Sequence, residues 1–301
     1  MTCVGWGKII LLGEHAVVYG YPALAAALDR GVSIAPVPTP AGGPLRLDIP
    51  AWELKVKAGD DHPVAHGLVA IADALGVGRP ALSLVGDAQI PHSAGLGSSA
   101  ALAVAIARAV LQHVRRPASN AEIGNAAGAS EALLHGRASG IDVALALAGG
   151  IGVYRKSAGL RPINARGLRV LVAPSGSPRS TAAMVERIAD ATSAIPADGR
   201  LKELGGLTDT GTTALLAGDL ATLGTAMNRA HEILAGLGVS TPQLDSLCEA
   251  ARATGAHGAK LTGAGGGGAI IAIAPRDRET AILTEWKAAG VTGFVATVGA
   301  R

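Results

Sequence analysis

A short segment rich in glycine and serine stands directly before a long apolar stretch. It reads Pro-His-Ser-Ala-Gly-Leu-Gly-Ser-Ser-Ala over residues 91–100. Gly95 and Gly97 remove the side chains that would keep a ligand away from the backbone, and Ser98 and Ser99 supply hydroxyl groups where a helix is expected to begin. Because a helix N-terminus offers unpaired N–H groups and a partial positive charge, this segment is a candidate phosphate site. A tight turn with a capped helix is the alternative, since neither a Walker A loop nor the dinucleotide-binding glycine pattern is present.

Five ionisable groups stand where a polar side chain is costly unless it is paired or used. Lys8 lies inside an apolar run that predicts a buried strand, and Glu14 and His15 follow where this strand ends. Glu131 and Asp142 are isolated carboxylates in a stretch that is otherwise apolar or rich in glycine. These residue types could transfer protons or hold a metal ion. A solvated loop for the Glu-His pair, and structural roles for the two acids, are the alternatives.

A second glycine-rich segment lies near the C-terminus. Residues 263–268 contain five glycines in six positions and are flanked by apolar runs that predict strands. So many glycines are unfavourable unless the backbone must pass close to something, although a flexible linker has the same composition. Residues 175–181, Ser-Gly-Ser-Pro-Arg-Ser-Thr, open another predicted helix with hydroxyl groups and a cation. This is a second candidate anion site or a plain helix cap.

Length and composition limit the class of protein. With 301 residues the chain is long enough for two domains, which we place at residues 1–160 and 161–301. Hydrophobic residues make up 49% and aromatic residues 2%, so Ala, Val, Leu and Ile must build the core. A net charge of +3 without interleaved aromatics gives no case for nucleic acid and suits a small anionic ligand. Two cysteines, no signal peptide and no membrane-length apolar stretch predict a cytoplasmic protein that does not bind a membrane.

The predicted elements mix strands and helices along the whole chain, which indicates an α+β fold. An apolar helix follows residues 91–100 and ends at 115–117, and a second helix with a capping box covers 119–134. Residues 23–28 and 32–37 predict two strands, with residues 29–31 as a turn between them. The second half is rich in helices until a closing strand, helix and strand.

Three segments together resemble one family, the GHMP kinases, which include galactokinase, homoserine kinase, mevalonate kinase and phosphomevalonate kinase. Residues 91–100 resemble their ATP-phosphate loop, and residues 260–268 resemble their third motif. Residues 7–20, Gly-Lys-Ile-Ile-Leu-Leu-Gly-Glu-His-Ala-Val-Val-Tyr-Gly, are most similar to the branch that acts on mevalonate. The resemblance implies two α+β lobes, the first like ribosomal protein S5 and the second ferredoxin-like, with the active site in the cleft.

The resemblance also assigns roles to residues of this chain. Asp142 would accept the proton of the attacking hydroxyl, and Lys8 would keep Asp142 ionised. Ser99 and Glu131 would hold Mg²⁺. ATP would be bound by the residues of the loop, which are Pro91, Gly95, Leu96, Gly97, Ser98, Ser99 and Ala100. Mevalonate would be contacted by Glu14, His15, Asp142, Thr181 and Gly265.

The implied activity is ATP- and Mg²⁺-dependent phosphorylation of (R)-mevalonate to 5-phosphomevalonate in isoprenoid precursor biosynthesis. A sibling kinase acting on phosphomevalonate, homoserine or a sugar is one alternative. A catalytically silent sensor that binds ATP and a metabolite is another. The sequence is compatible with a monomer or a homodimer.

Overall fold

The computed structural model describes residues 2–135, 140–177, 181–193 and 199–299, without the side chains at 135, 181, 182, 192 and 193. Its strands are β1 (Cys3–Leu12), β2 (Ala23–Pro38), β3 (Arg46–Ile49), β4 (Leu54–Lys57), β5 (Leu82–Ala88), β6 (Ile151–Arg155), β7 (Gly159–Pro162), β8 (Leu168–Pro174), β9 (Gly258–Thr262), β10 (Ala269–Ile273) and β11 (Phe294–Val298). Its α-helices are α1 (Pro63–Ala74), α2 (Ser98–His113), α3 (Asn120–His135), α4 (Ile141–Ala148), α5 (Thr181–Ser193), α6 (Arg200–Ala217), α7 (Leu220–Gly236), α8 (Pro242–Ala253) and α9 (Arg276–Ala288). This mixture confirms the predicted α+β class.

The chain divides into two compact units, each drawn from several segments. The first comprises Met1–Gly7, Arg30–His92 and Gly97–Ala148, and the second comprises Lys8–Asp29, Ser93–Leu96 and Gly149–Arg301. The sequence-based boundary between residues 160 and 161 stays a prediction.

The first unit packs helices α1 to α4 with a small sheet. Its strand order is β4-β3-β5-β2, in which β3 runs parallel to β5 and the other neighbours are antiparallel. Helix α2 is buried along most of its length, because alanine, valine and leucine fill it on nearly every side. Helix α3 has the expected Ser119 cap, because the N–H of Glu122 donates to the Ser119 hydroxyl at 3.2 Å. The Glu122 carboxylate accepts from Arg116 at 2.6 Å, so among the described residues only this half of the predicted capping box is formed.

The second unit contains a sheet with the order β2-β11-β8-β10-β9. Strand β6 pairs with the first part of β2, and β7 pairs with β6. Strands β9 and β10 form an antiparallel hairpin in which Thr262 lies opposite Ala269, so the second glycine-rich segment is the hairpin loop. Among the described residues, no helix has the length and apolar composition needed to cross a membrane.

The prediction of two strands separated by a turn at residues 29–31 was wrong, because β2 is continuous through them. Gly31 continues the strand because its bare backbone passes the backbone of Gly5 and Trp6, where a β-carbon would lie 2.1 Å from the Gly5 carbonyl oxygen. The Asp29 carboxylate accepts a hydrogen bond from the Thr297 N–H at 3.0 Å. Pairing with neighbouring strands therefore overrides the local turn preference of Asp-Arg-Gly.

Candidate active site

The first glycine-rich segment leads into α2 as predicted. Gly95 and Gly97 both have positive φ, 78° and 73°, a conformation that other residues rarely adopt. Gly97 is the N-cap residue, and its carbonyl oxygen accepts the first helical bond from the Ala101 N–H at 2.9 Å. Ser98 is buried and Ser99 is half-buried at the start of the helix. This end of α2 thus combines a bare turn, two hydroxyl groups and the positive end of a helix dipole.

The other residues of this segment differ in exposure. Pro91 is exposed, whereas Leu96 and Ala100 are buried. Because the side chains of Leu96 and Ala100 are buried, these two residues could contact a ligand only through their backbone groups.

Lys8 is tied to the glycine-rich segment through its backbone. The Lys8 N–H donates a hydrogen bond to the Leu96 carbonyl oxygen at 2.8 Å, and the Lys8 side chain is only 3% exposed. The start of β1 packs closely on the first turn of α2, since a β-carbon at Gly5 would lie 1.9 Å from the Ala101 carbonyl oxygen. Glycine at position 5 is therefore needed for this approach.

Ser99, Glu131 and Asp142 lie on three helices of the first unit that pack against one another, α2, α3 and α4. Glu131 is 3% exposed, and Asp142 is half-buried in the first turn of α4. Helix α3 approaches α1 closely beside Glu131, because a β-carbon at Gly67 would lie 2.4 Å from the Ser130 hydroxyl oxygen. A negative charge in a first turn is favourable for the helix, so Asp142 also stabilises α4.

Arg108, on α2, connects this helix to β1 and to α4. Its guanidinium donates hydrogen bonds to the carbonyl oxygens of Val4 and Leu147, the latter at 3.0 Å. Burial lowers the pKa of Arg108, yet the group still serves as a multiple donor to buried carbonyls. Arg108 therefore anchors β1 and the end of α4 to α2.

Glu14 and His15 form a tight turn after β1, in the second unit. His15 has φ of 60°, which is uncommon for a residue with a side chain, and its Nε2 lies 2.9 Å from the Ala264 carbonyl oxygen. Both side chains are buried, at 1% and 6% exposure. Gly13 makes the turn possible, since a β-carbon there would lie 2.4 Å from the Pro22 carbonyl oxygen.

The carboxylate of Glu14 forms an ion pair with the ammonium group of Lys260, and both side chains are fully buried. Lys260 Nζ also donates to the Leu261 carbonyl oxygen at 2.6 Å. Burial raises the pKa of Glu14 and lowers that of Lys260, and each partner's charge works against the other's shift. The sequence motif contains Lys260, but sequence reasoning gave it no role.

The second glycine-rich segment is a loop in which Gly263, Gly265, Gly266, Gly267 and Gly268 all have positive φ. A β-carbon at Gly265 would lie 2.1 Å from the Val239 carbonyl oxygen, and the Gly266 N–H donates to that oxygen at 2.8 Å. The loop backbone therefore passes close to Val239, which confirms the close approach expected from its glycine content. The alternative that this segment is a flexible linker is excluded.

Sequence reasoning missed a buried histidine behind this loop. His231 Nδ1 accepts a hydrogen bond from the Leu261 N–H at 3.3 Å, and its Nε2 lies 3.1 Å from an Asp245 carboxylate oxygen. Nε2 therefore carries the proton of the neutral ring. Burial lowers the pKa of His231 to about 4 despite Asp245, and burial raises the pKa of the neighbouring Cys248 thiol to about 12.

Part of the predicted site lies outside the described residues. This holds for residues 136–139, for residues 178–180 and for the side chain of Thr181. Thr181 itself is the first residue of α5. The roles of the other site residues stay predictions, and the structure gives their positions.

Comparison with known proteins places the chain in a family. Residues 63–150 match the model of the GHMP kinases N terminal domain, and residues 212–292 match that of the GHMP kinases C terminal domain. The chain therefore belongs to the GHMP kinases, and its fold is theirs.

Several curated mevalonate kinases are similar to this chain over nearly its full length. Those of Pyrococcus horikoshii and Methanothermobacter thermautotrophicus are each 34% identical to this chain, with 94% and 93% of this chain and 91% and 93% of the relative covered. Among solved structures, L. major mevalonate kinase in complex with R-mevalonate has a TM-score of 0.85 at 29% identity, covering 99% of this chain and 95% of that one. The Methanococcus jannaschii mevalonate kinase has a TM-score of 0.86 at 28% identity, covering 99% and 98%.

Proposed function

We propose that this protein transfers the γ-phosphoryl group of ATP to the C5 hydroxyl of (R)-mevalonate. The observation that carries the proposal is the full-length similarity to mevalonate kinases, one of them solved with R-mevalonate bound. The helix N-terminus formed by Gly97, Ser98 and Ser99 supports it independently, because phosphoryl transfer needs a site that binds phosphate oxygens.

ATP is placed with its phosphates at the start of α2. Gly95 and Gly97 leave the backbone bare, and Ser98 and Ser99 stand in the first turn of the helix, whose N–H groups face a ligand bound at this end. These donors fix the phosphates in place before the reaction. Such prior positioning supplies much of the catalysis when the enzyme does no covalent chemistry itself.

Ser99 and Glu131 fit a Mg²⁺ site by the chemistry of their donor atoms. Hydroxyl and carboxylate oxygens are hard ligands, and Mg²⁺ is usually held by one or two protein groups together with substrate phosphates. Glu131 is buried on a helix that packs against the one carrying Ser99, so its carboxylate has a fixed place in the first unit. When bound with ATP, Mg²⁺ neutralises charge on the phosphate oxygens.

Asp142 and Lys8 complete the proposed mechanism. Asp142 accepts the proton that the C5 hydroxyl loses as its oxygen attacks the γ-phosphorus. The Lys8 ammonium group stabilises negative charge on the transferred phosphoryl group. Lys8 suits this role because its side chain is buried while its backbone is bonded to Leu96 of the phosphate loop. His15, Glu14, Gly265 and Thr181 are assigned to the mevalonate side of the site.

The proposal is tested with purified protein by coupling ADP release to a spectroscopic readout. Mevalonate, phosphomevalonate, homoserine and galactose are supplied one at a time, with and without Mg²⁺. We expect turnover only with mevalonate and only with Mg²⁺. Turnover with another alcohol instead would make the protein a sibling kinase. ATP binding without turnover of any alcohol would favour the silent sensor.

A further inference from the structure

We propose that Lys260 is a positioning residue of the mevalonate site, which holds Glu14 and thereby the turn carrying His15. This inference rests on the proposed function, because it concerns how the same site binds its substrate. No step of the mechanism above uses Lys260, although it is the most deeply buried cation among the described residues.

The contacts of Lys260 show what it holds. It lies in β9, three residues before the start of the glycine-rich hairpin loop, and its side chain has no exposure. Its ammonium group bonds at once to the Glu14 carboxylate and to the Leu261 carbonyl oxygen. One group thus joins the hairpin to a turn 246 residues earlier in the chain.

A second link joins the same two segments one residue further on. His15 Nε2 donates to the carbonyl oxygen of Ala264, which lies inside the glycine-rich loop. His15 keeps an uncommon backbone conformation, and such conformations persist only where the surroundings enforce them. The Glu14 and Lys260 pair is the neighbouring contact that can enforce it.

The Glu14 carboxylate is shielded from solvent and is held by Lys260. Its side chain is fully buried, and its Oε1 is occupied by Lys260, while its Oε2 has no hydrogen-bond partner among the described residues. Without Lys260 the carboxylate would be a buried charge lacking its direct cation, which proteins tolerate poorly. The turn would shift or the carboxylate would take up a proton, and either change would displace His15.

His231 contributes to the same arrangement through its hydrogen bond to β9. Its ring accepts the Leu261 N–H, so the residue whose carbonyl binds Lys260 is fixed at both its N–H and its C=O. Because Nδ1 is an acceptor, the ring is neutral and adds no second positive charge next to Lys260. These two bonds hold Leu261, the residue next to Lys260, in place, as a positioning element requires.

The test is a double-mutant cycle with Lys260→Met, Glu14→Gln and the double variant. A displacement of about 1 Å in a positioning group can cost on the order of 100-fold, so we expect Lys260→Met to raise the KM for mevalonate at least about 10-fold. The KM for ATP should stay within about two-fold, since the phosphate loop is not touched. In the Glu14→Gln background, Lys260→Met should have little further effect on the KM for mevalonate, because no Glu14 carboxylate remains to be left unpaired. Lys287→Met, an exposed change on α9, is the control and should behave as wild type.

Hydrogen exchange measures the same link without any substrate. Lys260→Met should raise amide exchange in residues 13–20 and 263–268 and leave α1 unchanged. If Lys260→Met does not fold, Glu14→Gln serves alone, because it removes the same ion pair and should loosen the same segments.

The inference is overturned if folded Lys260→Met keeps the wild-type mevalonate KM, raises both KM values equally, or acts independently of Glu14→Gln. Unchanged exchange in both segments would overturn it as well. Failure of the proposed function would show separately, as wild-type protein that does not turn over mevalonate, and the exchange experiment would still decide the role of Lys260.

Discussion

The Lys8 N–H donates a hydrogen bond to the Leu96 carbonyl oxygen at 2.8 Å, which bonds the strand carrying the lysine to the candidate phosphate loop. The bond involves only backbone atoms and does not depend on the Lys8 side chain. Lys8→Met should therefore remove the ammonium group and leave the loop in place.

For Lys8→Met we expect kcat to fall by on the order of 100-fold, because stabilisation of the transition state is lost. ATP affinity, measured by calorimetry, should change by less than about five-fold. Lys202→Met, an exposed change on α6, is the matched control. If Lys8→Met weakens ATP binding but keeps the wild-type kcat, Lys8 serves nucleotide binding and not the chemical step.

Asp142 is expected to act in the chemical step. Asp142→Ala should lower kcat by about 10²- to 10⁴-fold, the usual contribution of a general base, while ATP still binds. Loss of a carboxylate from the first turn of α4 should also cost about 0.3–1 kcal/mol of stability, measured by urea unfolding. Asp209→Ala, exposed on α6, controls for the charge change. Wild-type turnover in Asp142→Ala would remove Asp142 from the mechanism.

Gly265 and Gly206 give opposite expectations for the same substitution. Gly265→Ala places a β-carbon 2.1 Å from the Val239 carbonyl oxygen at φ of 79°, so it should destabilise the protein by at least about 1–3 kcal/mol. Gly206 lies inside α6 with nothing near its β-carbon position, so Gly206→Ala should stabilise by about 0.5–1 kcal/mol. Thermal unfolding of both variants checks this, and equal shifts would contradict the loop geometry.

His231 should make stability depend on pH. Its pKa is lowered by burial to about 4 in the folded protein, below its ordinary value near 6.5. Between these values the unfolded chain binds more protons, so the free energy of unfolding should fall by roughly 3 kcal/mol as pH drops from 6.5 to 4. The free energy of unfolding, measured with urea at several pH values, should depend less steeply on pH in His231→Gln than in wild type. Identical slopes for variant and wild type would show that His231 does not titrate in this range.

Much of the candidate phosphate site could be described from the sequence because its signals are local. Glycines that need positive φ, hydroxyl groups at a helix start and isolated charges in apolar runs are visible in a single chain. The glycines at 95, 97 and 263–268 all have the backbone conformations that only glycine adopts easily.

The contacts that hold the site together could not be predicted, because the partners are far apart in sequence. Lys260 and Glu14 are separated by 246 residues, and His231 meets Leu261 across 30. No spacing rule connects such residues. The prediction for β2 failed for a related reason, since the partners of its turn-forming residues are distant in sequence: Gly31 passes Gly5, and Asp29 accepts from Thr297.

The proposed reaction is tested most directly by identifying the atom that receives the phosphoryl group. Wild-type protein is incubated with ATP, Mg²⁺ and (R)-mevalonate, and the product is examined by phosphorus and proton NMR. We expect one phosphomonoester, with the phosphorus coupled to the two protons on C5 of mevalonate. Recovery of unmodified mevalonate from enzyme that binds ATP, or phosphate on another position, would contradict it.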